Sequence, residues 1–400
     1  MLIEQAVILA GGLGTRLGEL SSVTPKPLVE VAGRPFLEHL IWNLKRYGIK
    51  EILLLVGHLA NRIQDHFGTG EDFGVHIEYA FEEKPAGTGG ALLLARAKLA
   101  DLFLLTNGDT LFDINYLDLE LAHNANDSLV TIALRSIEDA SRYGTVEVLK
   151  DKITGFHEKK AGGAGLINGG VYCIAKKSLD LLQETPSSIE SDLFPLLASK
   201  GELSGKKYGG YFIDIGTPDS LQEGDVSLRK WRKKPTVFFD RDGVLNIDKG
   251  YVHKPDDFEW IEGAREAVKW ANDNGYLAIV ITNQAGIARG YYTEEHFLNF
   301  TQWINDELRK SGAHLDATYY CPHHPREGKG KYLFQCKCRK PGSGMLIQAI
   351  DDWGVDTGKS IMVGDKEKDV LAAKGAGVEG VIFDGNDLES IIKKRTNFNI

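Results

Sequence analysis

The sequence predicts an α/β protein of two domains, each built on a parallel sheet covered by helices. Apolar strand patterns alternate with helical ones along the whole chain. Two of the strands run straight into loops rich in Gly or Asp, the arrangement that opens an α/β domain with a ligand beyond its strand ends. A short basic stretch separates the two halves, and 400 residues are too many for one ordinary core.

The first strand lies in AVILAGGLGTRLG, residues 6–18; no basic segment precedes it, so it reads as a strand and not as a signal peptide. PFLEHLIWNLKRYG follows as a helix with Pro35 in its first turn. EILLLVG (51–57), VHIEYAF (75–81), LFLLTNGD (102–109) and SLVTIALR (128–135) read as strands. SLRKWRKKP, residues 227–235, reads as a solvated linker. The predicted domains are therefore 1–228 and 236–400, joined by 229–235. In the second, TVFFDRDGVLN (236–246), YLAIVITN (276–283) and SIMVGD (360–365) supply strands, with helices in 263–275 and 344–354.

A net charge of -9 argues against a general nucleic-acid binder, and no apolar run is long enough to span a bilayer. Small anionic substrates remain compatible, because local loops bind them. Four cysteines are few, and three cluster at Cys321, Cys336 and Cys338. That clustering suggests a metal site in a reducing, cytoplasmic compartment. Cys173, standing alone, reads as a core residue. An oligomer is left open.

Gly11, Gly12, Gly14, Thr15 and Arg16 follow the first strand directly. Glycines let backbone N–H groups approach an anion, and Arg16 adds fixed charge. No Gly-Lys-Ser/Thr ends the loop, so it is not a Walker loop. Pro25 and Pro27 stiffen the backbone around Lys26, which could then neutralise phosphate charge. Asp109 and Asp214 each close an apolar run; acids at strand ends can meet in space and hold Mg²⁺ against phosphate oxygens.

GGLGTRL, PKPL, GTGGAL, NGD and DIGTPDS, in that order, resemble the sugar-nucleotide pyrophosphorylase family over about residues 1–225. The resemblance implies a Rossmann-like nucleotidyltransferase fold. It implies attack of a sugar 1-phosphate on the α-phosphorus of a nucleoside triphosphate, with release of pyrophosphate. It places the triphosphate on Gly11, Gly12, Gly14, Thr15 and Arg16, and the metal on Asp109 and Asp214. Gly87 and Thr88 fall on the base side; Glu158, Lys159 and Asn168 fall on the sugar side, with the choice between Lys159 and Lys160 open.

In the second half, Asp240 and Asp242 stand two apart, on one face of an extended segment. Two close carboxylates repel unless a cation lies between them, and Mg²⁺ there leaves Asp240 ionised as a nucleophile. Asp242 can then act as general acid and base. Thr282 and Asn283 offer polar groups to phosphate, and Arg339 and Lys340 supply charge. Asp365 and Asp369 would share a face of a helix starting there. Three Cys with His323 make a common structural zinc set in which protein fills all four places. His324 reads as a neighbour of that set.

The order DxDG, strand-end Thr, Lys, GDxxxD resembles the haloacid dehalogenase phosphatase superfamily. It implies an aspartyl-phosphate on Asp240, with Thr282 and Lys340 holding the phosphoryl group and Asp365 completing a Mg²⁺ site that includes Asp240 and Asp242. About twenty residues between the nucleophile loop and the next helix leave no room for a large cap. CPHH, CxCRKP, TNQAGIARG and GDKEKD resemble the histidinol-phosphate and heptose-bisphosphate phosphatase branch. That branch implies removal of the 7-phosphate of D-glycero-D-manno-heptose 1,7-bisphosphate, with Arg289 as a substrate contact. The heptose 1-phosphate left behind would be the substrate of the first domain. A resemblance to mannose-type enzymes implies GTP as its partner; another sugar, such as a hexose, or a sensing role for one domain are the alternatives.

Overall fold

The computed structural model describes residues 3–12, 23–141, 143–157, 163–183 and 185–396. The chain divides into two compact units, Met1–Arg229 and Lys230–Ile400.

The first unit contains β1 (Gln5–Leu9), β2 (Glu30–Val31), β3 (Arg34–Pro35), β4 (Glu51–Val56), β5 (His76–Phe81), β6 (Leu102–Asn107), β7 (Thr110–Phe112) and β8 (Val130–Ile137). It continues with β9 (Thr145–Leu149), β10 (Lys152–His157), β11 (Gly165–Ala175), β12 (Leu203–Tyr208) and β13 (Phe212–Asp214). Nine of them form one sheet in the order β5-β4-β1-β6-β11-β8-β12-β10-β9. The stretch β5-β4-β1-β6 is parallel. Val7, Leu53, Leu55 and Leu105 enter one core with Tyr172 and Phe194. β1, β4 and β6 carry near-continuous apolar runs, as strands buried on both faces do, whereas the edge strand β5 alternates with exposed His76 and Glu78.

The rest of the sheet is mixed and departs from the parallel expectation, with only β8 and β12 parallel there among the described strands. β11 runs antiparallel to both β6 and β8. β9 and β10 form a hairpin whose two turn residues, Lys150 and Asp151, both have positive φ (47° and 64°). That is the backbone of a tight primed turn, which normally announces itself by Asn-Gly or Asp-Gly; here no glycine marks it. Pro35 stands just before the helix Phe36–Arg46, not within its first turn.

The second unit is a five-stranded parallel sheet, β16-β15-β14-β17-β18, of β14 (Thr236–Phe239), β15 (Leu277–Asn283), β16 (Ala317–Cys321), β17 (Ile361–Gly364) and β18 (Glu379–Ile382). The chain leaves β14 to one side for β15 and β16, then crosses to β17 and β18 on the other. The carboxyl end of β14 is thus a topological switch point, where parallel sheets hold ligands. Between β14 and the helix Ala264–Asp273 there is one short 3₁₀ turn, Pro255–Asp257, and no cap domain.

The basic stretch is not a solvated linker. Helix Pro218–Arg232 runs through most of it. Trp231 and Lys234 are buried, and the Lys234 ammonium lies 4.3 Å from the Trp231 ring centroid. Leu228 and Trp231, three apart, give the helix an apolar stripe, while Arg229, Lys230 and Lys233 are exposed. No described helix is long and apolar enough to cross a membrane.

Candidate active sites

In the first unit, a cleft opens at the carboxyl end of β1. Gly11, Gly12, Lys26, Gly87, Thr88, Asn107 and Asp109 line it. Gly108 lets the segment bearing Asp109 pass β1, since a Cβ there would sit 2.5 Å from the Leu9 carbonyl oxygen. Lys26 is buried in the short turn Lys26–Leu28 and forms an ion pair with Asp109. β13 pairs antiparallel with β7, setting Asp214 opposite Thr110, and the Ile215 N–H donates to the Asp109 carbonyl at 3.0 Å. The backbones of Asp109 and Asp214 are thereby held side by side, although 105 residues apart in sequence. Each side chain has a protein partner as well: Asp109 accepts from Thr110 Oγ1 at 3.1 Å and Asp214 from the Gly216 N–H at 2.7 Å.

Thr88 lies in the first turn of the helix Gly87–Leu94; its hydroxyl donates to Glu190 at 2.7 Å and accepts from the Ile189 N–H at 2.9 Å. Asn168 does not line the cleft. Its amide is engaged with Tyr172 and the Gly170 N–H, both at 2.9 Å. Gly14, Thr15, Arg16, Glu158 and Lys159 lie outside the described residues. Two lining carboxylates escaped the sequence reading. Glu82 sits in a charged run that looks solvated, yet burial raises its carboxyl above the usual range, against an opposing hydrogen bond from Ala86 N–H. Glu190 is about a hundred residues from Thr88, and no local pattern marks it.

In the second unit, the switch point gathers charge. Asp240 follows β14, Thr282 and Asn283 end β15, and Asp365 follows β17. Carboxylate oxygens of Asp240, Asp365 and Asp369 lie within 4.8 Å of one another. Lys340, 2% exposed, places its ammonium 2.9 Å from Asp240 and 2.8 Å from Asp369, and donates to the Ile281 carbonyl at 2.7 Å. Its three N–H groups thus have three partners. Burial pushes the Asp240 carboxyl up, to about 6, with Lys340 pulling it down and Asp369 adding to the rise. Gly243 has φ +89°, and a Cβ there would meet Asp365 at 2.6 Å, so the loop after Asp240 needs glycine.

This set fits a divalent cation. Its donors are all oxygen, and Asp365 Oδ1 is buried with no hydrogen-bond partner among the described residues. The structure groups Asp369, and not Asp242, with Asp240 and Asp365. Asp242 instead accepts from Arg241 (2.9 and 3.0 Å), Asn246 (3.0 Å) and Gln284 (3.3 Å) while lining the cleft. Nor do Asp365 and Asp369 share a helix. The helix is Glu367–Gly375, Asp365 precedes it, and Asp369 caps it by accepting from the Lys366 N–H at 3.1 Å.

Asn283 is taken up by the Lys340 backbone: it donates to that carbonyl at 3.1 Å and accepts from that N–H at 3.0 Å. It therefore holds Lys340 in place. Arg339 donates to the His323 carbonyl at 3.2 Å. Arg289 forms an ion pair with Glu327, lies 5.6 Å from the Tyr251 ring centroid, and does not line the cleft. Gln284, Tyr292, Lys366 and Lys368 do line it, and sequence reasoning passed over them.

Cys321, His323, Cys336 and Cys338 converge. The three sulfurs are 3.0–3.5 Å apart, and His323 Nδ1 is 3.5 and 3.8 Å from two of them. A tetrahedron with Zn–S bonds of about 2.3 Å has edges of about 3.8 Å, so the cluster fits a zinc ion with all four positions filled. Burial raises the Cys321 thiol above its ordinary value, a penalty that binding a dication as thiolate offsets. His324 stays outside, accepting from the Glu327 N–H at 3.0 Å. Cys173 is fully buried in β11.

Residues 5–230 match the Nucleotidyl transferase family model, and residues 337–387 match the HAD-hydrolase-like model. The D-glycero-beta-D-manno-heptose-1,7-bisphosphate 7-phosphatase of Pasteurella multocida is 48% identical over 167 residues, 41% of this chain and 90% of that protein. The enzyme of the same name from Haemophilus ducreyi is 54% identical over 147 residues, 36% of this chain and 80% of its own. Among solved structures, HddC from Yersinia pseudotuberculosis complexed with GMP-PN superimposes with a TM-score of 0.51 and 32% identity, over 56% of this chain and all of that one. A putative glucose-1-phosphate thymidylyltransferase from Bacillus anthracis gives 0.52 and 26%, over 56% and 95%. The chain therefore belongs to the nucleotidyl transferase family through its first unit, and to the heptose-bisphosphate 7-phosphatases of haloacid dehalogenase type through its second.

Proposed function

We propose that this chain is a bifunctional enzyme of nucleotide-activated heptose synthesis, acting second unit first. The carrying observation is the Asp240–Lys340–Asp369–Asp365 cluster at a switch point, in a chain whose other unit is a nucleotidyltransferase. The Asp240 carboxylate attacks the 7-phosphoryl group of D-glycero-D-manno-heptose 1,7-bisphosphate, and the sugar 7-oxygen leaves with a proton from Asp242. Asp242 then takes a proton from the water that releases phosphate from Asp240. Lys340 and Thr282 hold the phosphoryl oxygens. Mg²⁺ bound by Asp240 and Asp365 would supply further charge neutralisation. Zinc on Cys321, His323, Cys336 and Cys338 would fix the loop that carries Arg339 and Lys340. A cluster of free thiols suits a reducing, cytoplasmic setting.

In the first unit, the 1-phosphate attacks the α-phosphorus of a nucleoside triphosphate. The loop of Gly11, Gly12, Gly14, Thr15 and Arg16, with Lys26, neutralises the triphosphate; Asp109 and Asp214 would hold Mg²⁺; Glu158 and Lys159 belong to the sugar side. GTP is the proposed co-substrate and GDP-D-glycero-α-D-manno-heptose the product. HddC, solved with GMP-PN, supports guanine. So do Glu82 and Glu190 in the cleft lining, because guanine alone presents two adjacent N–H donors on its pairing edge. One relative, from Burkholderia mallei and 44% identical over 146 residues, carries the α anomer in its name.

The test supplies the purified chain with the α-1,7-bisphosphate and each nucleoside triphosphate in turn. GTP should give sugar nucleotide at least about tenfold faster than the others, a discrimination of roughly 1.4 kcal/mol. Equal rates with all of them would remove the guanine assignment, and no product with any would remove the pathway.

A further inference from the structure

TNQAGIARG contains a hydrogen-bond device that the roles above do not use. Gln284, at the end of this strand-to-helix turn, is 2% exposed and lines the phosphatase cleft. Its Nε2 donates to Thr282 Oγ1 at 2.9 Å and to Asp242 Oδ2 at 3.3 Å. Its Oε1 accepts from the Tyr292 hydroxyl at 2.6 Å. The reverse amide orientation would set Oε1 against the Asp242 carboxylate, acceptor facing acceptor, so only this orientation satisfies both ends. Tyr292 is fixed in turn. It is 5% exposed, its ring stacks on His253 at 4.6 Å with planes 8° apart, and it fills the space above Gly286. A Cβ at Gly286 would lie 2.2 Å from that ring, which explains the glycine two residues after Gln284.

We propose that Gln284 is a positioning residue: its amide, locked by Tyr292, aims the Thr282 hydroxyl and the Asp242 carboxylate at the phosphoryl group. The proposal rests on the phosphatase reading of the second unit. Because Thr282 Oγ1 accepts from Gln284, its own proton is directed elsewhere, and no other described group hydrogen-bonds that hydroxyl. The proton is left to donate to a phosphoryl oxygen. Asp242 Oδ2 accepts from Gln284 and Arg241, and Oδ1 from Asn246 and Arg241, so the carboxylate is held at both oxygens in one orientation. Binding of the bisphosphate uses many other contacts, whereas proton transfer depends on angle. The loss should therefore fall on turnover.

The test compares Gln284→Leu, Tyr292→Phe, the double variant and the near-isosteric Gln284→Glu, using the full chain with Mg²⁺ and the heptose bisphosphate. Gln284→Leu should lower kcat for phosphate release by about 10–100-fold with KM changed less than about threefold. Tyr292→Phe should lower kcat by about 3–10-fold, and the double variant should match Gln284→Leu alone, since the tyrosine acts through the amide. Gln284→Glu keeps the volume and loses the donor, so its kcat should fall at least as far as that of the leucine variant. Wild-type kcat in Gln284→Glu, or a Tyr292→Phe effect multiplying in full on the Gln284→Leu background, would overturn the proposal. Asp240→Asn run alongside separates the two levels: if it released phosphate as fast as the wild type, the phosphatase reading itself would fall, whatever Gln284 does.

Discussion

Lys340 shows how much of the phosphatase site depends on one side chain. Its buried ammonium is the common partner of Asp240 and Asp369. Removing it leaves two desolvated carboxylates together, which typically costs about 3–5 kcal/mol. Lys340→Met should therefore lower the urea stability of the second unit by about that amount, and by less when Mg²⁺ is added, because the cation takes over part of the compensation. Unchanged stability without metal would contradict this. His123 provides a pH signature for the other unit. It is buried against Thr131, and burial, aided by Lys177, holds its pKa down at about 4. The unfolded chain, with an ordinary histidine, binds more protons between about 6.5 and 4. The stabilising contribution is thus complete above about 6.5 and is lost as pH falls towards 4. Between pH 7 and pH 4.5, His123→Gln should lose less stability than the wild type, by on the order of 2–3 kcal/mol. Parallel stability curves for the two proteins would refute it.

The loop whose thiols fit zinc ties an element, and not a single residue, to the proposed chemistry. Gln284, which lines the phosphatase cleft, donates its backbone N–H to the Cys321 carbonyl at 2.8 Å, so the thiol cluster is tied directly to that cleft; Arg339 donates to the His323 carbonyl. Cys336→Ala should abolish most phosphate release, by at least about tenfold, and lower the melting temperature of the second unit. Nucleotidyl transfer from a supplied heptose 1-phosphate should stay within about twofold. Loss of both activities with the first unit still folded would contradict the assignment. Elements also mark what sequence could carry. Asp240, Thr282 and Asp365 were legible because strand ends bear local grammar, an apolar run closed by a polar residue. The cysteines were legible because metal ligands must cluster. The β9–β10 hairpin was not, since Lys150 and Asp151 adopt positive φ without a glycine. Glu190 and the Gln284–Tyr292 bond were not, since Glu190 meets Thr88 only through tertiary packing and no sequence pattern marks a glutamine bonded to a tyrosine eight residues on. Asn168 and Arg289, suggested by resemblance, are engaged by Tyr172 and by Glu327. The loop 13–16 and residues 158–159 lie outside the described residues.

At the scale of the molecule, two sheets of different construction carry sites whose reactions follow one another. A bisphosphate loses its far phosphate in the second unit, and the remaining 1-phosphate is activated in the first. Nothing in this order requires the sites to share a residue; a block at one should be bypassed by supplying its product. The most direct measurement follows sugar-nucleotide formation by the Asp240→Asn chain with Mg²⁺ and GTP, given the 1,7-bisphosphate in one reaction and the 1-phosphate in another. The variant should be at least about a thousandfold slower than the wild type from the bisphosphate and within about twofold of it from the 1-phosphate. Equal loss from both substrates in a folded protein, or undiminished product from the bisphosphate, would contradict two separate sites acting in sequence.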